Sequence, residues 1–138
     1  MEKVTGGCLC GDVRYESTAE AMLQCLCYCR DCQTVSGAAG YAVYGVPIDS
    51  IVITQGQPAE YSVEADSGRI NSRWFCPNCG TRMWAKLEEL GMASINGLTL
   101  DDPEHFNPST IHYPESAPDW CRLNDSLELL PPIPRDAN

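Results

Sequence analysis

Basic side chains are scarce in this sequence: nine Lys and Arg stand against nineteen Asp and Glu, a net charge of −10 over 138 residues. A nucleic-acid partner needs a basic face to meet phosphates, so this balance speaks against one. Long apolar runs are missing too. No segment approaches the roughly 18 apolar residues of a membrane span, and Met1-Glu2-Lys3-Val4-Thr5-Gly6-Gly7 lacks the apolar stretch of a signal peptide. The chain therefore reads as soluble and cytoplasmic, with no membrane partner. Histidine is limited to His105 and His112. Either is able to carry protons, but neither context marks a site role. Helical periodicity is brief wherever it occurs, and repeats and linkers are absent. With 43% apolar and 20% charged residues, residues 1–138 read as a single globular domain with a modest core and a frayed tail from about Pro131.

Cysteine, by contrast, is abundant. Nine cysteines at spacings of one or two residues, in a chain without a leader, point to metal ligands in a reducing compartment. Disulfides alone leave one of nine unused. The densest stretch is Cys25-Leu26-Cys27-Tyr28-Cys29-Arg30-Asp31-Cys32. Zinc takes about four ligands in a tetrahedron with Zn–S near 2.3 Å, so its sulfurs lie about 3.8 Å apart, a separation that C-x-C and C-x-x-C turns deliver. Gly6-Gly7-Cys8-Leu9-Cys10-Gly11 supplies a second half-site, its glycines letting the backbone turn closely around a metal. Cys76-Pro77-Asn78-Cys79-Gly80 is a zinc knuckle in which Pro77 fixes φ and Gly80 suits a left-handed turn. A thioredoxin-like reading of that C-x-x-C fails for want of a following long helix.

Between these motifs the elements read as short strands: one around Val13 and Tyr15, then 21–26, 38–46, 51–54, 61–65, 69–75, 83–86, 92–96 and 110–113. Arg30 to Ser36 has room for about two helical turns ended by Gly37. Asp66-Ser67-Gly68 is a hairpin connection, Leu87 to Gly91 separates two strands, and Asp119-Trp120 is a short anchor. Trp74, Phe75, Trp84 and Trp120 read as core.

Spacing alone admits several partitions of the cysteines. One places Cys8, Cys10, Cys76 and Cys79 in a closed site and leaves Cys25, Cys27, Cys29 and Cys32 for another. Gly6 to Tyr15, Cys27-Tyr28-Cys29-Arg30-Asp31-Cys32 with Ser36-Gly37, and Phe75-Cys76-Pro77-Asn78-Cys79-Gly80-Thr81 together resemble the glutathione-dependent formaldehyde-activating enzyme family, which includes centromere protein V. Leu100-Asp101-Asp102-Pro103 and Pro118-Asp119-Trp120 extend the resemblance over nearly the whole chain.

The resemblance implies a mostly β fold, a small zinc-bound β-tent of coiled antiparallel sheets with one or two short helical turns. It implies two zinc ions per chain: a structural zinc on Cys8, Cys10, Cys76 and Cys79, and an open zinc on Cys27, Cys29 and Cys32, through which those three cysteines would serve catalysis. The implied activity is that of a carbon–sulfur lyase or thiol–aldehyde adduct synthase of the S-hydroxymethylglutathione synthase type, with a glutathione-like thiol and an aldehyde as partners. Three thiolates leave zinc with a formal charge near −1, a poor acid for water but enough to lower the pKa of an incoming thiol. A non-catalytic zinc-stabilised module that binds a protein or small thiol is the alternative. It gains if Cys25, two residues before Cys27 and so on the same strand face, closes the second site. Cys121 reads as a free thiol. Arg30 suits a substrate carboxylate, a thiolate or an ion pair with Asp31, and Arg69, Arg73 and Arg82 suit the two carboxylates of glutathione. The family often has His before Ile in the late strand. Here Ile111 precedes His112, so no role is transferred.

Overall fold

The computed structural model of the protein describes residues 3–64, 68 and 70–132. The expected hairpin residues Asp66 and Ser67, the candidate Arg69 and the tail beyond Pro132 lie outside the described residues. Eleven strands and one helix run in the order β1 (Val4–Gly7), β2 (Arg14–Ser17), β3 (Leu23–Cys27), α1 (Arg30–Ser36), β4 (Tyr41–Pro47), β5 (Ile51–Gln55), β6 (Ala59–Glu64), β7 (Ile70–Phe75), β8 (Arg82–Leu87), β9 (Met92–Asn96), β10 (Thr110–His112) and β11 (Glu128–Leu129). The protein is mostly β, in two sheets. The smaller has the order β1-β2-β5 and the larger the order β11-β10-β3-β4-β9-β8-β7-β6.

Pairing is antiparallel except at one side of the large sheet, where β10 runs parallel to both β3 and β11. That departs from the purely antiparallel expectation. The long connection from β9 to β10 permits it, since a parallel neighbour needs a crossover rather than a hairpin.

Register sorts the large sheet into two faces. Leu23, Gly45, Ser94, Ala85, Arg73 and Tyr61 form one cross-strand rung, and Cys25, Val43 and Asn96 form another on the same face. Tyr44, Val46, Ala93, Ile95, Trp74 and Trp84 alternate with these and face the other way. The small sheet covers that second face. There Val4, Val13 and Tyr15 join Tyr44, Val46, Met83, Trp84 and Ile95 in the main core. Tyr15 meets Trp84 edge to face at 5.6 Å and donates or accepts a 2.7 Å hydrogen bond with Thr99. Fully buried aromatics of this kind are each worth about 1.5–3 kcal/mol of burial; the hydroxyl bond satisfies Tyr15, whereas the buried Trp84 Nε1 has no hydrogen-bond partner among the described residues.

A register shift at Trp74/Phe75 pairs Phe75 with Arg82 but Trp74 with Trp84. The extra residue, Met83, breaks strict alternation, so Met83 and Trp84 both enter the core while Arg82 remains with Phe75 on the opposite face.

Helix α1 lies on that opposite face. Cys29 is its N-cap and Gly37, at φ 70°, its left-handed stop, so the expected two turns form over the expected residues. Strand β4 starts at Tyr41 rather than Ala38, because Gly40 passes against the Tyr28 ring before the chain can extend. Trp120 does not join the core: it is 78% exposed. Among the described residues it is left uncovered, and Cys121 N–H closes a local turn onto Pro118. Among the described residues no helix is long and apolar enough to cross a membrane.

Candidate functional site

All nine cysteines are free thiols. Seven of them gather into two groups whose sulfurs lie within 4.8 Å of one another: Cys8, Cys10, Cys76 and Cys79, and separately Cys27, Cys29 and Cys32.

The four-thiol group joins the β1–β2 loop to the β7–β8 turn. Gly11 N–H donates to Cys8 O, and Gly80 N–H donates to Cys76 O, two tight turns that converge each pair. The sulfur separations of 3.6 Å for Cys8–Cys10 and 3.8 Å for Cys10–Cys76 match the edge of a zinc–sulfur tetrahedron. Donors surround the sulfurs. Val13 N–H reaches Cys8 Sγ at 3.2 Å, Asn78 Nδ2 reaches Cys10 Sγ at 3.2 Å, and the Thr81 hydroxyl lies 3.1 Å from Cys79 Sγ. Thr81, with its hydroxyl and its backbone, pulls the Cys79 thiol down to about 5. Thr81 also accepts from Leu9 N–H at 3.1 Å, a direct tie between the two loops. Such donors hold thiolates for a metal and fix their orientation, so the residues fit a zinc ion with all four positions filled.

The three-thiol group sits on the other face of the sheet, where β3 runs into α1. Cys27 ends the strand, Cys29 caps the helix and Cys32 occupies its first turn. Cys32 N–H donates to Cys29 Sγ at 3.3 Å, and Gln33 N–H donates to Cys29 O at 3.0 Å. The Cys27 and Cys32 thiols, and then the Cys32 N–H, draw the Cys29 thiol down to about 3, while its two neighbours are pushed up. Gln33 Nε2 bridges Tyr28 O at 2.7 Å and Ser116 O at 2.9 Å, clamping the loop to the segment after β10. Three sulfurs at this spacing fit a zinc ion with one position left for another ligand.

Cys25 stays apart. Its sulfur is not in the group; it is 1% exposed and packs with Tyr41 and Val43, and burial pushes its thiol up to about 12. Cys121 is partly exposed and its thiol neighbours the Tyr28 phenol. His112 is the parallel partner of Cys27, its buried Nε2 lacking a hydrogen bond among the described residues, whereas His105 lies near Asp102, away from both groups. Arg30 is exposed and forms no ion pair among the described residues.

Two neighbours of the trio carried no sequence signal strong enough to single them out. Gln33 is one. Tyr113 is another: it packs against the cluster and is the one non-glycine at positive φ, 57°, among the described residues. Burial, then the Cys27 and Cys29 charges, push its phenol up to about 12, so it stays protonated at neutral pH. Phe75, expected in the core, instead lines a cavity of about 360 Å³ with Val35, Tyr61, Arg73 and Arg82.

The profile of the glutathione-dependent formaldehyde-activating enzyme family matches residues 3–116. A Halomonas elongata protein, provisionally named a glutathione-dependent formaldehyde-activating enzyme, is 27% identical over 126 residues, covering 86% of this chain and 79% of that relative. A Rhodobacter sphaeroides protein of known crystal structure shares the fold, with a TM-score of 0.56 at 19% identity over 73% of this chain and 93% of that one. With the family profile spanning the three cysteine motifs, this chain belongs to the glutathione-dependent formaldehyde-activating enzyme family.

Proposed function

We propose that the protein is a zinc-dependent carbon–sulfur lyase that adds a glutathione-like thiol to formaldehyde and runs the reverse cleavage. The observation that carries this reading is the inequality of the two thiol groups: four sulfurs on one face of the sheet, three on the other. Cys8, Cys10, Cys76 and Cys79 would fill a structural ion, and Cys27, Cys29 and Cys32 would hold a second with a place for the substrate sulfur. When bound there, zinc would supply the charge that keeps an incoming thiol ionised at neutral pH.

In the forward direction the thiol loses its proton and its sulfur attacks the carbonyl carbon. A carbon–sulfur bond forms, the carbonyl π pair moves to oxygen, and one proton is returned to that oxygen, giving the S-hydroxymethyl adduct. We assign the last step to Tyr113, whose protonated phenol packs against the trio. Cys29 and α1 hold the trio in place, and the Gln33 clamp fixes the loop. A chain with nine free thiols suits a reducing, cytoplasmic setting. The reading is tested by removing the more labile metal with a mild chelator. Adduct formation then falls to the uncatalysed rate and returns on adding one equivalent of zinc. Undiminished catalysis after that removal would overturn the zinc-dependent reading, and no acceleration by the zinc-loaded protein would instead favour a non-catalytic module.

A further inference from the structure

We propose that the cavity lined by Gln24, Tyr44, Glu20 and His105, on the face of the large sheet opposite to Cys27, is a second binding site that takes a small zwitterion of the α-amino acid class. It is independent of the thiol reaction.

Strand register and one loop build this cavity. Gln24 of β3 and Tyr44 of β4 are direct cross-strand partners, so both side chains leave the sheet on the side that the small sheet covers. Val4 of β1 forms part of the wall, and the loop from β2 to β3 brings Ala19, Glu20 and Ala21 to the same space. His105 stands at the remaining side, 4.0 Å from the Asp102 carboxylate. The volume is about 300 Å³, at the lower end of the range for small-molecule sites.

The polar groups around this space have bonding capacity left. Tyr44 is 6% exposed, yet its hydroxyl makes no hydrogen bond among the described residues, nor is it one of the polar atoms sealed in the interior. A buried tyrosine hydroxyl normally has a partner, and this one opens on the cavity that the residue lines. Burial pushes the phenol up, so it stays protonated and can donate. Gln24 is oriented by its neighbour: Oε1 accepts Asn107 N–H at 2.6 Å, which leaves the Nε2 hydrogens as the uncommitted part of the amide. Two such donors on adjacent strands suit a carboxylate. Glu20 supplies the opposite charge, since it forms no ion pair among the described residues and stands ready for an ammonium group. Donors on one wall and an unpaired carboxylate on another describe a zwitterion. Val4, Ala19 and Ala21 give its side chain an apolar surface and limit it to a small one.

The test titrates L-alanine, propionate and ethylamine into the zinc-loaded full chain, followed by the backbone amide NMR signals of Ala19, Ala21 and Gln24, for the wild type, Tyr44→Phe and Glu20→Gln. Zinc content and circular dichroism show whether each variant is folded and loaded, and the exposed Glu20 site keeps the test open if Tyr44→Phe is not. The wild type is expected to bind L-alanine at least about fivefold more tightly than propionate or ethylamine. Tyr44→Phe is expected to weaken L-alanine and propionate alike, by about fivefold, because it removes a donor to the carboxylate. Glu20→Gln is expected to bring L-alanine down to the level of propionate and to leave propionate unchanged. Equal affinity of the wild type for the three probes, no saturable shift at these amides with L-alanine up to about 10 mM, or unchanged L-alanine binding in Glu20→Gln overturns the site. None of these results touches the cysteine groups, so the thiol reaction stands or falls by its own test.

Discussion

Cys29 Sγ accepts the backbone N–H of Cys32 at 3.3 Å, so one sulfur both caps α1 and belongs to the three-thiol group. Helix geometry and thiol geometry are therefore set by the same bond. Replacing the sulfur separates the two roles. Serine is among the best N-caps and alanine among the poorest, a difference of about 1 kcal/mol. Cys29→Ser and Cys29→Ala should both lose the second zinc, and Cys29→Ala should also be less stable than Cys29→Ser by about that amount. Denaturant midpoints of the two variants, measured side by side, check it.

Cys25 should behave as packing. Cys25→Ala is expected to cost about 1–2 kcal/mol, in line with losing a small buried group against Tyr41 and Val43. It should keep two zinc ions per chain and full activity. Metal analysis that found one ion would make Cys25 a ligand.

Tyr113→Phe should fold, bind zinc and bind thiol normally, since only the hydroxyl is removed. Its kcat is expected to fall by about 10²-fold with KM little changed, the pattern for a lost proton donor. A rise in KM at constant kcat would move Tyr113 to substrate binding.

Gly40→Ala targets the loop around Tyr28. A Cβ there would lie 2.7 Å from the ring of Tyr28, the residue between Cys27 and Cys29 in the sequence. The ring must move and take the loop with it, at a cost of about 1–3 kcal/mol. Zinc at the three-thiol site should be released at lower chelator concentration than in the wild type, with the four-thiol site unchanged.

The pH dependence of folding has one legible contributor in the loop behind the four-thiol group. Arg14 and the Thr5 hydroxyl bind the Asp101 carboxylate and hold its pKa below the usual carboxylate range. A depressed carboxylate stabilises the fold fully above its unfolded value and loses that contribution as pH falls through its folded value. Because the Asp101 side chain is 45% exposed, solvent screening keeps the effect at or below about 1 kcal/mol. Asp101→Asn should therefore be slightly less stable than wild type near neutrality and equal to it in strong acid.

Much of this arrangement was legible before the fold was known. The C-x-C and C-x-x-C spacings marked the thiols as metal ligands, because turn geometry and ligand geometry share the same few ångströms, but spacing alone left their partition open and grouped Cys25 with the second set; the family resemblance supplied the grouping into which the sulfurs fall. Gly37 marked the end of α1 through its freedom at positive φ. Long-range facts were not written locally. The parallel pairing that sets His112 beside Cys27 depends on a crossover of many residues, and the placement of Arg82 depends on an extra residue in β8 that no period reveals. Trp120 looked like core because of its size alone, and size does not say whether a partner folds over it. Tyr113 gave no warning, since a tyrosine at φ 57° is held by its surroundings rather than by its own preference.

The central claim is that three thiols of α1 and β3, and not the four on the opposite face, carry carbon–sulfur chemistry. The most direct measurement is the exchange rate between free formaldehyde and its glutathione adduct, followed by NMR with zinc-loaded wild type and with Cys29→Ser. Acceleration by the wild type, reduced to the background rate in a folded Cys29→Ser that retains one zinc, is the expected result. No acceleration by wild-type protein carrying two zinc ions, or equal acceleration by Cys29→Ser, would contradict it.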